Sequence, residues 1–150
     1  TSSGSGIWGN FGQANYGAAK TAMVGFMNVL ALEGASHNIR INCLAPGAAT
    51  RMTATVPGRP PIDVDDPPPE RAPSLVTPAV LYMCSEDAPT GKIFQAMGGR
   101  FSQAAMYTNP GVALGTEASF ETFCDNLSTI NDMSAAEDGV AKRARQRSRG

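Results

Sequence analysis

The chain has 150 residues, 42% of them hydrophobic and 17% charged, which suffices for one packed domain of ordinary size and excludes wholesale disorder. A formal net charge of −1 argues against nucleic acid as a partner, and the three cysteines (Cys43, Cys84, Cys124) are too few and too far apart for a disulfide framework or a zinc knuckle. The single histidine, His37, excludes any mechanism that needs two, and the longest apolar stretch is interrupted by Lys20, Thr21, Gly25 and Asn28, so no membrane span is expected.

In chain order, residues 1–13 are rich in glycine and serine and read as a loop. Residues 14–34 contain no proline and carry Ala, Met, Leu, Val and Phe at helical density, which predicts a helix stopped by Gly34. Its apolar side chains cover more than one face, so it requires cover on several sides, from a sheet and from a further subunit. Residues 39–44 predict a buried strand ended by Ala45-Pro46-Gly47. Nine prolines between 46 and 78 exclude extended regular structure there and suggest a lid or binding loop. Residues 77–84 read as a short helix with Thr77 as cap and Pro78 at its first position. Residues 93–97, between Gly91 and Gly98-Gly99, read as a last strand, and residues 118–127 as a helix. All thirteen acidic residues precede residue 142, whereas Lys142, Arg143, Arg145, Arg147 and Arg149 follow it or begin it, so residues 142–150 read as a basic, disordered tail.

Helix followed by short strand is the grammar of an α/β layer fold. Two strands and one apolar helix cannot bury each other, because a parallel sheet needs more strands and cover on both faces. The remaining strands are therefore expected ahead of Thr1.

The segment that carries chemistry runs from Thr1 to Lys20. Tyr16 and Lys20 are four residues apart, so on a helix they project from one face. A phenol serves as acid and base near neutrality only if its pKa falls about three units, roughly 4 kcal/mol. An ammonium about 5 Å away supplies roughly 3 kcal/mol of that at an effective dielectric near 20. Ser3 lies thirteen residues before Tyr16 and offers a hydroxyl to orient a substrate oxygen; Ser2 and Ser5 are close enough to compete for that role. Gly4-Ser5-Gly6-Ile7-Trp8-Gly9 fits the G-x-G-x-x-G fingerprint by letter, but no strand precedes it and no helix opens at Gly9, so it is not read as a dinucleotide turn. Asp63, Asp65 and Asp66 lack the spacing of a calcium loop, and no metal site is expected.

Ser3, Tyr16-x-x-x-Lys20 in an alanine-rich helix, and a strand ending Asn42-Cys43-Leu44-Ala45-Pro46-Gly47 together resemble the short-chain dehydrogenase/reductase family. The stretches Gly9 to Tyr16 and Thr50-Arg51-Met52-Thr53 are similar to its (3R)-hydroxyacyl-CoA dehydrogenase branch, found in multifunctional enzymes and bacterial relatives. The resemblance covers residues 1–53, returns at 81–99, and is tenuous elsewhere. It implies the C-terminal part of a Rossmann-type doubly wound parallel sheet, with the N-terminal nucleotide-binding half absent. Residues 1–99 would be the dehydrogenase part, 46–78 its substrate loop, and 100–141 a C-terminal extension. The resemblance makes Ser3, Tyr16 and Lys20 catalytic, and assigns Tyr16, Lys20, Pro46, Gly47 and Thr50 to a nicotinamide cofactor, NAD or else NADP. The reaction implied is hydride transfer between that cofactor and the 3-hydroxy/3-oxo group of an acyl-CoA. The alternatives are a 3-oxoacyl carrier-protein reductase of the same family, or a catalytically dead fragment that acts only in subunit assembly. A homodimer through helix 14–34 is implied as well. The expected compartment is cytoplasmic, or peroxisomal in a eukaryote, although Ser148-Arg149-Gly150 is no peroxisomal signal.

Overall fold

A computed structural model describes residues 1–56 and 61–147 and divides the chain into two units, the first Thr1–Ala104 and the second from Ala105 onward. The sequence reading placed its boundary at residue 99. The first unit runs five residues further because Gly98 and Gly99 both take left-handed φ (+57° and +71°) and turn the chain back as a hairpin.

The first unit is built on three strands: β1 (Cys43–Gly47), β2 (Ile93–Met97) and β3 (Arg100–Ala104), in that order across the sheet. β1 and β2 are parallel, with Cys43 opposite Ile93 and Gly47 opposite Met97; β3 runs antiparallel to β2. On the other side of β1, the Ser2 N–H donates to the Leu44 carbonyl at 2.7 Å. Side chains alternate between the two faces. Cys43, Ile93 and Ala104 meet Val24 and Met27 of helix α2 (Ala14–Glu33) in the buried core, with Ile7 and Ile41 packed against it. Phe94 points to the other face, where its ring meets Tyr82 of helix α4 (Thr77–Met83) edge-on at 5.8 Å. The sheet is thus covered by α2 on one face and α4 on the other, the layering expected of a doubly wound fold.

Helix α2 ends at Glu33, as Gly34 in the sequence suggests, and buries only Val24, Met27 and Ala31, one stripe at helical spacing. Phe26 and Val29 stay 60% and 52% exposed. The strand expected at 39–44 begins four residues later and continues through Pro46 and Gly47, because residues 41 and 42 bond sideways to the segment 89–92 instead. α4 starts at Thr77 with Val76 before it and no side-chain cap, a one-residue difference from the expected helix.

Three other expectations need correction. Residues 4–8 are not loop but a short helix, α1 (Gly4–Trp8), formed by Ser3 at its cap and by packing against α2 despite its two glycines. The proline-rich excursion holds local order: α3 (Arg51–Ala54) and 3₁₀ turns at Pro69–Arg71 and Pro73–Val76, its two arms tied where the Ala49 N–H donates to the Arg71 carbonyl at 2.8 Å. Lastly, residues 142–147 of the basic tail are helical.

The second unit pairs β4 (Tyr107–Thr108) with β5 (Glu137–Asp138), and carries α5 (Phe120–Asp125), α6 (Leu127–Asn131) and α7 (Gly139–Arg147). The expected helix at 118–127 is found as α5, opened by a Ser119–Thr122 capping box. α7 contains Lys142, Arg143 and Arg145 of the predicted tail. The Asp138 carboxylate accepts from the Val140 and Ala141 N–H groups, and Glu137 pairs with Lys142 and Arg145. An N-terminal cap and acidic partners therefore order a segment that composition alone marks as solvated. Residues 148–150 lie outside the described residues. Among those described, no helix is long and apolar enough to cross a membrane.

Candidate active site

Helix α1 lies against the first turns of α2, and Gly6 makes this possible. A Cβ at Gly6 would stand 2.7 Å from Lys20 Cβ and 2.8 Å from the Lys20 backbone carbon and the Thr21 nitrogen, closer than real atoms approach. Thr21 Oγ1 donates to the Gly6 carbonyl, and Ser2, 2% exposed, donates from its hydroxyl to the Lys20 carbonyl at 2.8 Å. The glycines of the G-x-G-x-x-G lookalike thus serve helix contact and a turn, Gly9 ending α1 at φ +80°.

The same contacts sort the three serines. Ser2 is committed to Lys20, and Ser5 Oγ donates to Gln13 Oε1 at 2.7 Å. Ser3 is half-buried, and its oxygen accepts from the Ser5 N–H at 3.2 Å, which leaves its hydrogen to donate elsewhere. Asn10 also donates to Gln13 Oε1, so Gln13, which the sequence reading passed over, fixes the turn from α1 into α2.

Tyr16 and Lys20 share one face of α2, both half-buried, with Lys20 Nζ 5.7 Å from the centre of the Tyr16 ring. Nζ donates to the Thr1 carbonyl at 3.2 Å, and an ammonium has two further hydrogens to offer.

Pro46 and Gly47 end β1, at the carboxyl edge of the parallel pair where open α/β sheets bind ligands. The space a side chain would occupy at Gly47 is filled by Met97, whose Cγ and Sδ lie 2.7 Å from the Cβ position. Thr50 caps α3: its hydroxyl accepts from the Thr53 N–H at 3.3 Å, while Thr53 Oγ1 accepts from the Thr50 N–H at 2.8 Å. The Lys20 ammonium and the Ser3 and Thr50 hydroxyls are groups that suit the hydroxyls and amide of a nicotinamide nucleoside.

Asn42 has a different task. Its Nδ2 donates to the Pro89 carbonyl at 2.7 Å and its Oδ1 accepts from the Lys92 N–H at 3.1 Å, so one amide clamps residues 89–92 and sets the register of β2 against β1. Asn42→Ala is expected to destabilise the protein by about 2 kcal/mol, since two backbone groups lose partners. Asn42→Asp, which keeps the acceptor, should fall between. Urea denaturation curves test both.

The remaining titratable groups are bystanders. Cys43 is buried with its Sγ near the Met23 carbonyl at 3.4 Å, and burial pushes its thiol up, opposite to what a nucleophile needs. His37 is exposed on a 3₁₀ turn. Asp63 Oδ1 accepts from the N–H groups of Asp65 and Asp66, a local turn. Among the described residues, no three His, Cys, Asp or Glu side chains gather as a metal site.

A parallel strand pair covered on both faces, with Ser3, Tyr16 and Lys20 on two packed helices beside it, defines a part of a Rossmann-type dehydrogenase fold. Residues 1–59 match the short-chain dehydrogenase/reductase family, under the description short chain dehydrogenase. A protein of Mycobacterium tuberculosis named for the short-chain type of dehydrogenase/reductase is 41% identical over 134 residues, covering 89% of this chain and 45% of its own. Acetoacetyl-CoA reductase of an Acinetobacter strain is 38% identical over 106 residues, covering 67% of this chain and 43% of its own. The solved structure of full-length peroxisomal multifunctional enzyme type 2 from Drosophila melanogaster superposes with a TM-score of 0.72 at 30% identity, covering 99% of this chain and 27% of that one. The chain thus spans less than half the length of each of these relatives.

Proposed function

We propose that the protein carrying this chain interconverts the 3-hydroxy and 3-oxo forms of an acyl-CoA, with NAD or NADP as the redox partner. The observation that carries the reading is the pairing of Tyr16 and Lys20 on one face of α2, with Ser3 held beside that helix by the Ser2–Lys20 and Thr21–Gly6 bonds. A thioester substrate is supported by the name of the Acinetobacter relative, acetoacetyl-CoA reductase.

In this reading Ser3 donates its hydroxyl hydrogen to the substrate's 3-oxygen and fixes its position. The Tyr16 phenolate takes the proton of the 3-hydroxyl group. The Lys20 ammonium stabilises that phenolate electrostatically, and its spare hydrogens would be available to the cofactor's ribose hydroxyls. Pro46, Gly47 and Thr50 would hold the nicotinamide end. The bound dinucleotide supplies the acceptor for the hydride that leaves C3. In the reverse direction Tyr16 returns the proton to the alkoxide as it forms.

A second copy of the chain is proposed at the outer face of α2, where Phe26 and Val29 stand exposed on a helix that buries only one stripe. The compartment proposed is the cytoplasm, or the peroxisome in a eukaryotic cell.

The test is absorbance of the reduced nicotinamide on mixing the protein with NAD or NADP and either a (3R)-hydroxyacyl-CoA or the same acyl group on a carrier protein. Turnover of the CoA ester supports the proposal; turnover of the carrier-protein thioester alone favours the reductase alternative. Cofactor binding without turnover of either would reduce the chain to an assembly element.

A further inference from the structure

On the α2-facing side of the sheet, the side chains form rows. The row Cys43–Ile93–Ala104 is core; the next is Ala45–Gln95–Ser102, and the last is Gly47–Met97–Arg100 at the carboxyl edge. Trp8, the final residue of α1 and the only tryptophan of the chain, reaches the middle row. Its Nε1–H donates to Gln95 Oε1 at 2.9 Å, while Gln95 Nε2 donates to Ser102 Oγ at 3.0 Å. The first bond sets which end of the amide faces the indole, because an indole N–H can only donate and so requires Oε1, which leaves Nε2 to donate to Ser102. Trp8 is nevertheless 67% exposed, and Met97, one pleat further toward the strand ends, is 66% exposed.

An indole with most of its surface in water gains little by burial, so two aligned hydrogen bonds spent on holding it point to a surface that must be presented in one orientation. Its place fits that demand. Ser3 caps the same helix five residues earlier, about 7.5 Å away along the axis at 1.5 Å per residue, and Met97 packs against Gly47. Trp8 and Met97 thus expose apolar surface over successive rows of one sheet face, Trp8 on the helix that Ser3 caps and Met97 beside Gly47.

We infer that Trp8 is a specificity-determining wall for the apolar acyl chain of the substrate, and that Gln95, anchored by its bond to Ser102, is its positioning residue. The inference rests on the acyl-thioester reading above. A short acyl group ends before the indole, whereas a long one lies across it.

The experiment compares kcat/KM for a short and a long (3R)-hydroxyacyl-CoA in the wild type, Trp8→Ala and Gln95→Leu. The long-to-short ratio is expected to fall about tenfold in Trp8→Ala and about threefold in Gln95→Leu, with Trp8→Phe between wild type and alanine. Equal losses for both lengths in all three variants would mean that the indole only staples α1 to the sheet, and would overturn the inference. Emission of the lone tryptophan gives a second readout that needs no turnover. Titration with a saturated long-chain acyl-CoA should shift Trp8 emission in the wild type, and the shift should need about threefold more ligand in Gln95→Leu. A shift in a protein that turns over neither ester would sink the reaction assigned above while keeping the wall. Turnover with an unchanged length ratio and no shift would sink the wall and keep the reaction.

Discussion

Tyr16→Phe is expected to lower kcat by about 10²–10⁴-fold, the range a positioned acid–base group contributes, while the dissociation constant for the dinucleotide moves by less than about twofold. The substitution removes one oxygen and leaves the ring against which Lys20 Nζ is placed, at 5.7 Å from its centre. The Lys20 bond to the Thr1 carbonyl and the Ser2 bond to the Lys20 carbonyl do not involve the phenol at all. The local scaffold should therefore survive, and circular dichroism and melting temperature should match the wild type. Steady-state rates and a fluorescence titration with reduced cofactor separate the two quantities. Comparable loss of both would make Tyr16 a packing residue and remove the phenol from the chemistry. Lys20→Met is the companion measurement: it should weaken cofactor binding and turnover together, because the ammonium is assigned to both.

The parts of the molecule that could be read from sequence share a physical property, local sufficiency. α2 is legible because twenty residues without proline end at a glycine, and β2 because its five residues are bracketed by glycines. Ser3, Tyr16 and Lys20 stand out only when their spacing is taken together with the family resemblance; in the fold Ser3 caps α1, while Tyr16 and Lys20 lie on α2, against which α1 packs. The misses are where tertiary packing overrides local preference. Nothing in Gly-Ser-Gly-Ile-Trp favours a helix; α1 exists because Ser3 caps it, Ile7 reaches the core and Gly6 fits against Lys20. β1 slid toward the prolines because Asn42 spends its amide on residues 89–92, a partner 47 to 50 positions away. The Trp8–Gln95 bond joins residues 87 apart and leaves no trace in spacing. Two misses did have a signal. Gly98-Gly99 is the dipeptide of a two-residue hairpin, and Asp138-Gly139 before a run of good helix formers marks a capped start.

Gly6→Ala should be nearly as damaging as loss of the phenol, although Gly6 carries no functional group. The added methyl would lie 2.7 Å from Lys20 Cβ and 2.8 Å from two backbone atoms of α2, whereas carbon atoms prefer about 3.5–4.0 Å. None of those atoms is the flexible end of a side chain, so α1 and α2 must separate. Ser3 rides on α1, while Tyr16 and Lys20 ride on α2, and separation pulls the serine from the pair. An overpacked contact of this kind costs about 1–3 kcal/mol of stability, and a misplacement near 1 Å costs about 10²-fold in kcat. Gly4→Ala provides the control in the same helix. No atom lies within 4 Å of its Cβ position and its φ is ordinary, so it should be neutral or stabilise by about 0.4–1 kcal/mol. Melting curves and turnover for the two variants side by side distinguish contact from helix propensity, since both replace a glycine of α1 by alanine. Equal behaviour would mean that the helix junction yields without moving Ser3, and that the serine's position depends on its cap bond to Ser5 rather than on the close approach at Gly6.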